Sequence, residues 1–163
     1  MRLNKLIYLV ATIAASASLA DPLAEMSGSW HGSGWARETQ KAPKETVRCK
    51  ITNTYNDGAQ ILTLEGRCIV PGRRLKISGI ISAAEGSDRI TGRWSNPTGL
   101  VSAPIVGIKR NGIVAFNFSA TNPITGRKQS QNVEWRISND SLRLRSSNRV
   151  DPTIMMSDIS FGR

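Results

Sequence analysis

Residues 46–70, TVRCKITNTYNDGAQILTLEGRCIV, decide the fold. In the first half, Val47, Cys49 and Ile51 share one face, and Arg48, Lys50 and Thr52 share the other. In the second half, Leu62, Leu64, Gly66 and Cys68 alternate with Thr63, Glu65 and Arg67. A period of two is that of a half-buried strand. Asp57-Gly58 between the halves is a hairpin signal. The two cysteines turn this hairpin into a register test. If Cys49 lies opposite Cys68, then Lys50 faces Arg67, and the two repel. If Asp57-Gly58 is a two-residue turn, Cys49 faces Gly66 and Lys50 gains Glu65. A cross-strand bridge needs Cβ atoms about 3.8 Å apart, so the second register forbids it. A wider turn or a bulge near Gly58 permits it. We expect the disulfide to prevail, because closing such a loop stabilises by roughly 3 kcal/mol in the chain-entropy model.

The same period continues on both sides. Leu75, Ile77, Gly79 and Ile81 alternate with Lys76 and Ser78, and Ile90, Gly92 and Trp94 with Arg89, Thr91 and Arg93. Further strands are expected at residues 29–36, 101–109, 113–121, 129–138 and 142–147. In the last two, Val133, Trp135, Ile137, Leu142 and Leu144 face in, while Glu134, Arg136, Arg143 and Arg145 face out. Pro71-Gly72, Asn111-Gly112 and Asn139-Asp140 are tight-turn signals. Residues 85–88, 96–99 and 122–126 are longer connections, and residues 37–45 form a polar loop. No helix of convincing length appears after Ala20. The expected class is all-β: an antiparallel up-and-down β-barrel of about eight or nine strands, with a two-sheet sandwich as the other closure of such a meander. Residues 148–163 read as a loose C-terminal tail.

Residues 1–20 read as a secretory signal peptide. Arg2 and Lys5 form its basic start, residues 6–15 its apolar stretch, and Ser18 and Ala20 the small residues of a cleavage site. The mature domain is then 21–163, and the net charge of +10 becomes +8 with Arg2 and Lys5 removed. A periplasmic or secreted location follows, and an oxidising compartment lets Cys49 and Cys68 pair.

Gly28-Ser29-Trp30 at the start of the first strand resembles the Gly-x-Trp of lipocalins, avidins and other calycin-type barrels. The resemblance implies that Trp30 plugs one end of a barrel against a basic side chain from a late strand, with Arg136, Arg143 and Arg145 as candidates. Locally, Ala24-Glu25-Met26-Ser27-Gly28-Ser29-Trp30, followed by Leu62-Thr63-Leu64-Glu65-Gly66 and two cysteines, is similar to the periplasmic alkaline-metalloprotease inhibitor family over residues 21–70. That likeness implies an early disulfide and an inhibitory N-terminal segment, here Asp21, Pro22 and Leu23. This chain departs from the family in its longer loop from Trp30 to Cys49 and in the 93 residues that follow Val70.

The composition argues against catalysis. One histidine, His31, leaves little for a metal centre or a triad. It reads as a solvated surface group. The acids are scattered, and no phosphate loop, nucleophile elbow or zinc spacing occurs. No cofactor or metal is expected. Trp35 reads as a stacking or rim residue. Gly66, Gly79 and Gly92 on inward faces either leave room for a ligand or relieve crowding. Three binding mechanisms are open. An apolar or amphiphilic ligand would lie inside the barrel against Leu64, Ile77, Ile81, Trp94, Phe116 and Trp135. An anionic envelope polymer or headgroup would meet the basic outer surface, drawn from Arg48, Lys50, Arg67 and Lys76 together with Arg89, Arg93, Arg143 and Arg145. A protease would be met by the N-terminal segment. The outward cations disfavour a membrane-spanning barrel, and export disfavours nucleic acid as a partner.

Overall fold

The computed structural model describes residues 20–95, 102–121 and 126–163. Most of the expected signal segment, the expected connection 96–99, most of the connection 122–126 and the first residue of the expected strand 101–109 lie outside that range. Ten strands follow a one-turn helix, α1 (Pro22–Glu25): β1 (Gly28–Ala36), β2 (Glu45–Asn56), β3 (Ile61–Val70), β4 (Arg73–Ala83), β5 (Arg89–Ser95), β6 (Ala103–Arg110), β7 (Ile113–Thr121), β8 (Lys128–Ser138), β9 (Ser141–Asn148) and β10 (Met155–Gly162). Each strand pairs antiparallel with its chain neighbours, and β10 pairs with β1, which closes the barrel. This architecture is compatible with a calycin-type barrel.

The strand count corrects the expected eight or nine. The additional strand, β10, lies in the segment read as a loose tail. Its inward residues are Met156, Ile159 and Phe161. A bulge between Met155 and Ser157 interrupts the alternation, so a strict period of two misses it.

Tight turns set most hairpins. Pro71-Gly72, Asn111-Gly112 and Asn139-Asp140 are two-residue connections, with positive φ at Gly72, at both residues of Asn111-Gly112, and at Asn139. The first hairpin differs. Its loop is the four residues 57–60, with Gln60 at φ 53°, and it places Cys49 directly opposite Cys68. The two form a disulfide whose Cα atoms lie 4.0 Å apart. Lys50 therefore faces Arg67.

Aromatic side chains pack across the interior. Trp94 packs on Phe116 at 5.4 Å and edge-on to Trp135 at 6.4 Å, and Trp135 meets Phe161 at 5.7 Å. The inward glycines make room for these neighbours. A Cβ at Gly79 would come within 2.8 Å of the Trp94 ring, and one at Gly66 within 2.4 Å of the Ile51 side chain. The crowding reading of these glycines is thus the one the geometry supports.

Candidate functional site

One end of the barrel is sealed. Asp21 caps α1, its carboxylate accepting from the Leu23 amide at 2.9 Å, and Pro22, Leu23 and Met26 are buried. The Met26 carbonyl accepts from Trp30 Nε1 and from Asn53 Nδ2, both at 2.9 Å. Lys109, 8% exposed, forms an ion pair with Asp21. The Tyr55 hydroxyl donates to the same carboxylate at 3.3 Å. Burial, and then the Asp21 charge, push the Tyr55 phenol above its ordinary pKa. Trp30 is buried at this end, and the cation over its ring is Arg163, whose guanidinium lies 4.5 Å from the ring centroid. Arg136, Arg143 and Arg145 sit on the outward parity of their strands and do not meet Trp30. Asp21, Pro22 and Leu23 are part of the seal. Their use on a protease would require breaking the pair with Lys109 and exposing Leu23.

The other end holds a cavity of about 90 Å³ among the described residues. Its walls include Val47, Val70, Leu75, Ile77, Trp94 and Leu144, and its mouth includes Arg37, Glu38, Glu45 and Arg73. Arg73 bridges Glu38 at 3.3 Å and Glu45 at 2.5 Å. Arg37 has no ion pair among the described residues, and its Nε is buried without a partner. Pockets for drug-sized ligands run to about 300–1,000 Å³. Of the six interior candidates, Ile77 and Trp94 line this space. Leu64, Ile81 and Trp135 are fully buried, and Phe116 is 3% exposed against Trp94.

The outer wall is electrostatically uneven. Lys50 (β2), Arg67 (β3) and Lys76 (β4) lie directly opposite one another in consecutive strands. The next row toward the open end holds Arg48, Ile69 and Arg74. None of these five cations has an ion pair among the described residues. Arg89 and Arg93 continue the basic wall on β5, and Arg110 on β6, while Glu65 is the acid at an outward position of β2–β6. Across the barrel, Arg136, Arg143 and Arg145 have acidic partners. Asp158 takes a bidentate pair from Arg143 at 2.8 Å and lies 3.7 Å from Arg145, and Glu134 holds Arg136 at 2.7 Å. The hydrogen bonds from Arg143 hold the Asp158 carboxyl below the usual carboxylate range.

No known family model matches the chain, and no curated protein matches it.

The sequence-derived basic candidates therefore fall into two groups. Arg48, Lys50, Arg67, Lys76, Arg89 and Arg93 lie together on β2–β5, whereas Arg143 and Arg145 lie across the barrel and share Asp158. Arg74 belongs to the first group and was missed, although its place beside Lys76 on the outward parity marks it. Arg163 was missed because β10 was not recognised. His31 is exposed on β1, directly across from Lys50. Trp35 faces outward, with Lys44 Nζ 3.9 Å and Arg37 5.5 Å from its ring centroid. Among the described residues, no three His, Cys, Asp or Glu side chains gather as a ligand set for a metal ion.

Proposed function

We propose that the protein is an exported, non-catalytic barrel that binds an anionic envelope component across the outer wall of β2–β6. The observation that carries this reading is the file Lys50, Arg67 and Lys76, three like charges in direct cross-strand register with no acid paired to them among the described residues. Like charges directly opposite are destabilising, and the disulfide beside them fixes the register that creates the conflict. A phosphate- or carboxylate-bearing polymer supplies the missing counter-charge. Retention on immobilised polyphosphate should fall steeply as salt rises. The triple variant Lys50→Ser, Arg67→Ser, Lys76→Ser should elute at much lower salt than Arg143→Ser, which alters a cation that has an acidic partner. Equal elution of the two, or no retention of the parent protein, defeats the proposal.

The cavity at the open end favours a second reading. Its apolar walls and the partnerless Arg37 Nε at its mouth suit a small carboxylate with a short aliphatic chain. Titration with hexanoate, followed through Trp94 fluorescence, tests this, and a response unchanged in Arg37→Gln excludes it.

A further inference from the structure

We infer that the anionic component met by this wall is a bilayer surface, with aliphatic side chains of β3, β4 and β6 entering the headgroup region beside the cations. The inference rests on the basic-wall reading above and names its partner. Four large aliphatic residues on the strands are exposed among the described residues: Ile69 at 57%, Ile80 at 49%, Val106 at 46% and Ile108 at 46%. All four lie on β3, β4 and β6, within the basic half. The opposite half presents Asn117, Ser119, Asn132 and Ser147 together with its ion pairs at comparable outward positions.

The aliphatics and cations are interleaved in register. Ile69 lies between Arg48 and Arg74. Arg93 lies between Ile80 and Pro104, and Arg89 lies opposite Ile108. Arg93 donates to the Ser102 carbonyl at 2.6 Å and to the Ser102 hydroxyl at 3.1 Å, which holds its guanidinium beside the apolar positions of β6. A soluble polyanion draws binding energy from the cations alone and gains nothing from exposed isoleucines. A bilayer surface rewards both, because phosphates sit at the level of the cations and aliphatic side chains reach the acyl boundary just beneath. The wall is not a continuous apolar band, so the barrel lies on the membrane and does not cross it.

The test is flotation with phosphatidylcholine vesicles, with and without phosphatidylglycerol, at about 0.1 M salt, alongside polyphosphate binding in the same buffer. The parent protein should float with the phosphatidylglycerol vesicles and not with pure phosphatidylcholine. The double variant Val106→Ser, Ile108→Ser should lose about tenfold in vesicle affinity, since two half-exposed side chains no longer leave water. Its polyphosphate affinity should stay within about twofold of the parent's, because no charge changes. In a separate variant, Ile108→Trp, emission should shift to the blue on vesicle addition and be quenched by brominated lipid, a readout that does not depend on the double variant folding. Vesicle affinity undiminished in the double variant, or Ile108→Trp emission unmoved while the protein floats, overturns the inference. A parent protein that binds polyphosphate but not vesicles overturns it and leaves the basic-wall reading standing. Failure to bind either overturns both.

Discussion

Replacing Arg67 with glutamate probes the outer wall at its most crowded point. Arg67 lies directly between Lys50 and Lys76. Charges on opposed side chains of adjacent strands approach to about 6 Å, where unit charges in water interact by about 0.7 kcal/mol. A Debye length of about 10 Å at 0.1 M salt reduces each contact to about 0.4 kcal/mol. Arg67→Glu turns two repulsions into two attractions, a change of about 1.5 kcal/mol before other costs. Holding long exposed side chains in place, and the neighbouring Glu65 two positions along β3, bring the net gain to about 1 kcal/mol. For a domain of this size that is a rise of about 3 °C in Tm. Thermal unfolding followed by circular dichroism reads it directly. The gain should disappear in 1 M salt, where the Debye length is about 3 Å, while polyphosphate retention falls at low salt. A variant that is more stable yet binds less is the signature of a wall whose charges are set for a partner. Loss of stability at 0.1 M salt, or a gain that persists in 1 M salt, refutes the reasoning.

Three further outcomes follow from other parts of the fold. Reducing the Cys49–Cys68 bond, which spans 19 residues of sequence, should lower the unfolding free energy by roughly 3 kcal/mol, as read from urea midpoints with and without reductant. Leu23→Ala opens the seal under α1 and should cost about 2–5 kcal/mol, and hydrogen exchange should speed at Asn53 and Tyr55 before the strands across the barrel. The folded pKa of Asp158 lies below its unfolded value of about 3.9, so its contribution is complete above about pH 5 and is lost as pH falls through the folded pKa. Asp158→Asn should therefore flatten the acid limb of the stability profile, and an unchanged limb would show that the pair with Arg143 adds nothing.

Most of the barrel was legible because the strands alternate with a period of two, and because Pro71-Gly72, Asn111-Gly112 and Asn139-Asp140 mark tight turns with positive φ at glycine or asparagine. The cysteine pair settled what turn chemistry alone placed wrongly. Asp57-Gly58 suggests a two-residue turn, but the bond requires four residues in the loop, and tertiary constraint outweighs the local preference. β10 was illegible for a definable reason: its inward residues Met156, Ile159 and Phe161 are spaced three and then two, because the bulge consumes one position. That miss hid Arg163, which continues the inward parity of Phe161 and meets Trp30. Parity also speaks against Arg136, Arg143 and Arg145 as partners of a buried tryptophan, since all three alternate with core residues. The division of the basic residues into a free and a paired set depends on which strands are neighbours around the ring, and the position of Asp158 beside Arg143 needs the register of β9 against β10.

The pairing of β1 with β10 has a consequence for how the molecule is made. Residue 31 finds its partner at residue 162, so the outer edge of β1 stays open until the final hairpin is complete. Until then the sheet has two unpaired edges, each a template for another chain. Contacts of such long sequence separation are slow to form. The same adjacency brings residues 21 and 163 to one end of the barrel, where a short linker can join them. Reopening the chain at Asn111-Gly112 would move the seam to a tight turn. That permutant should close the ring through local hairpins first, and it offers a way to separate the speed of ring closure from the stability of the closed barrel.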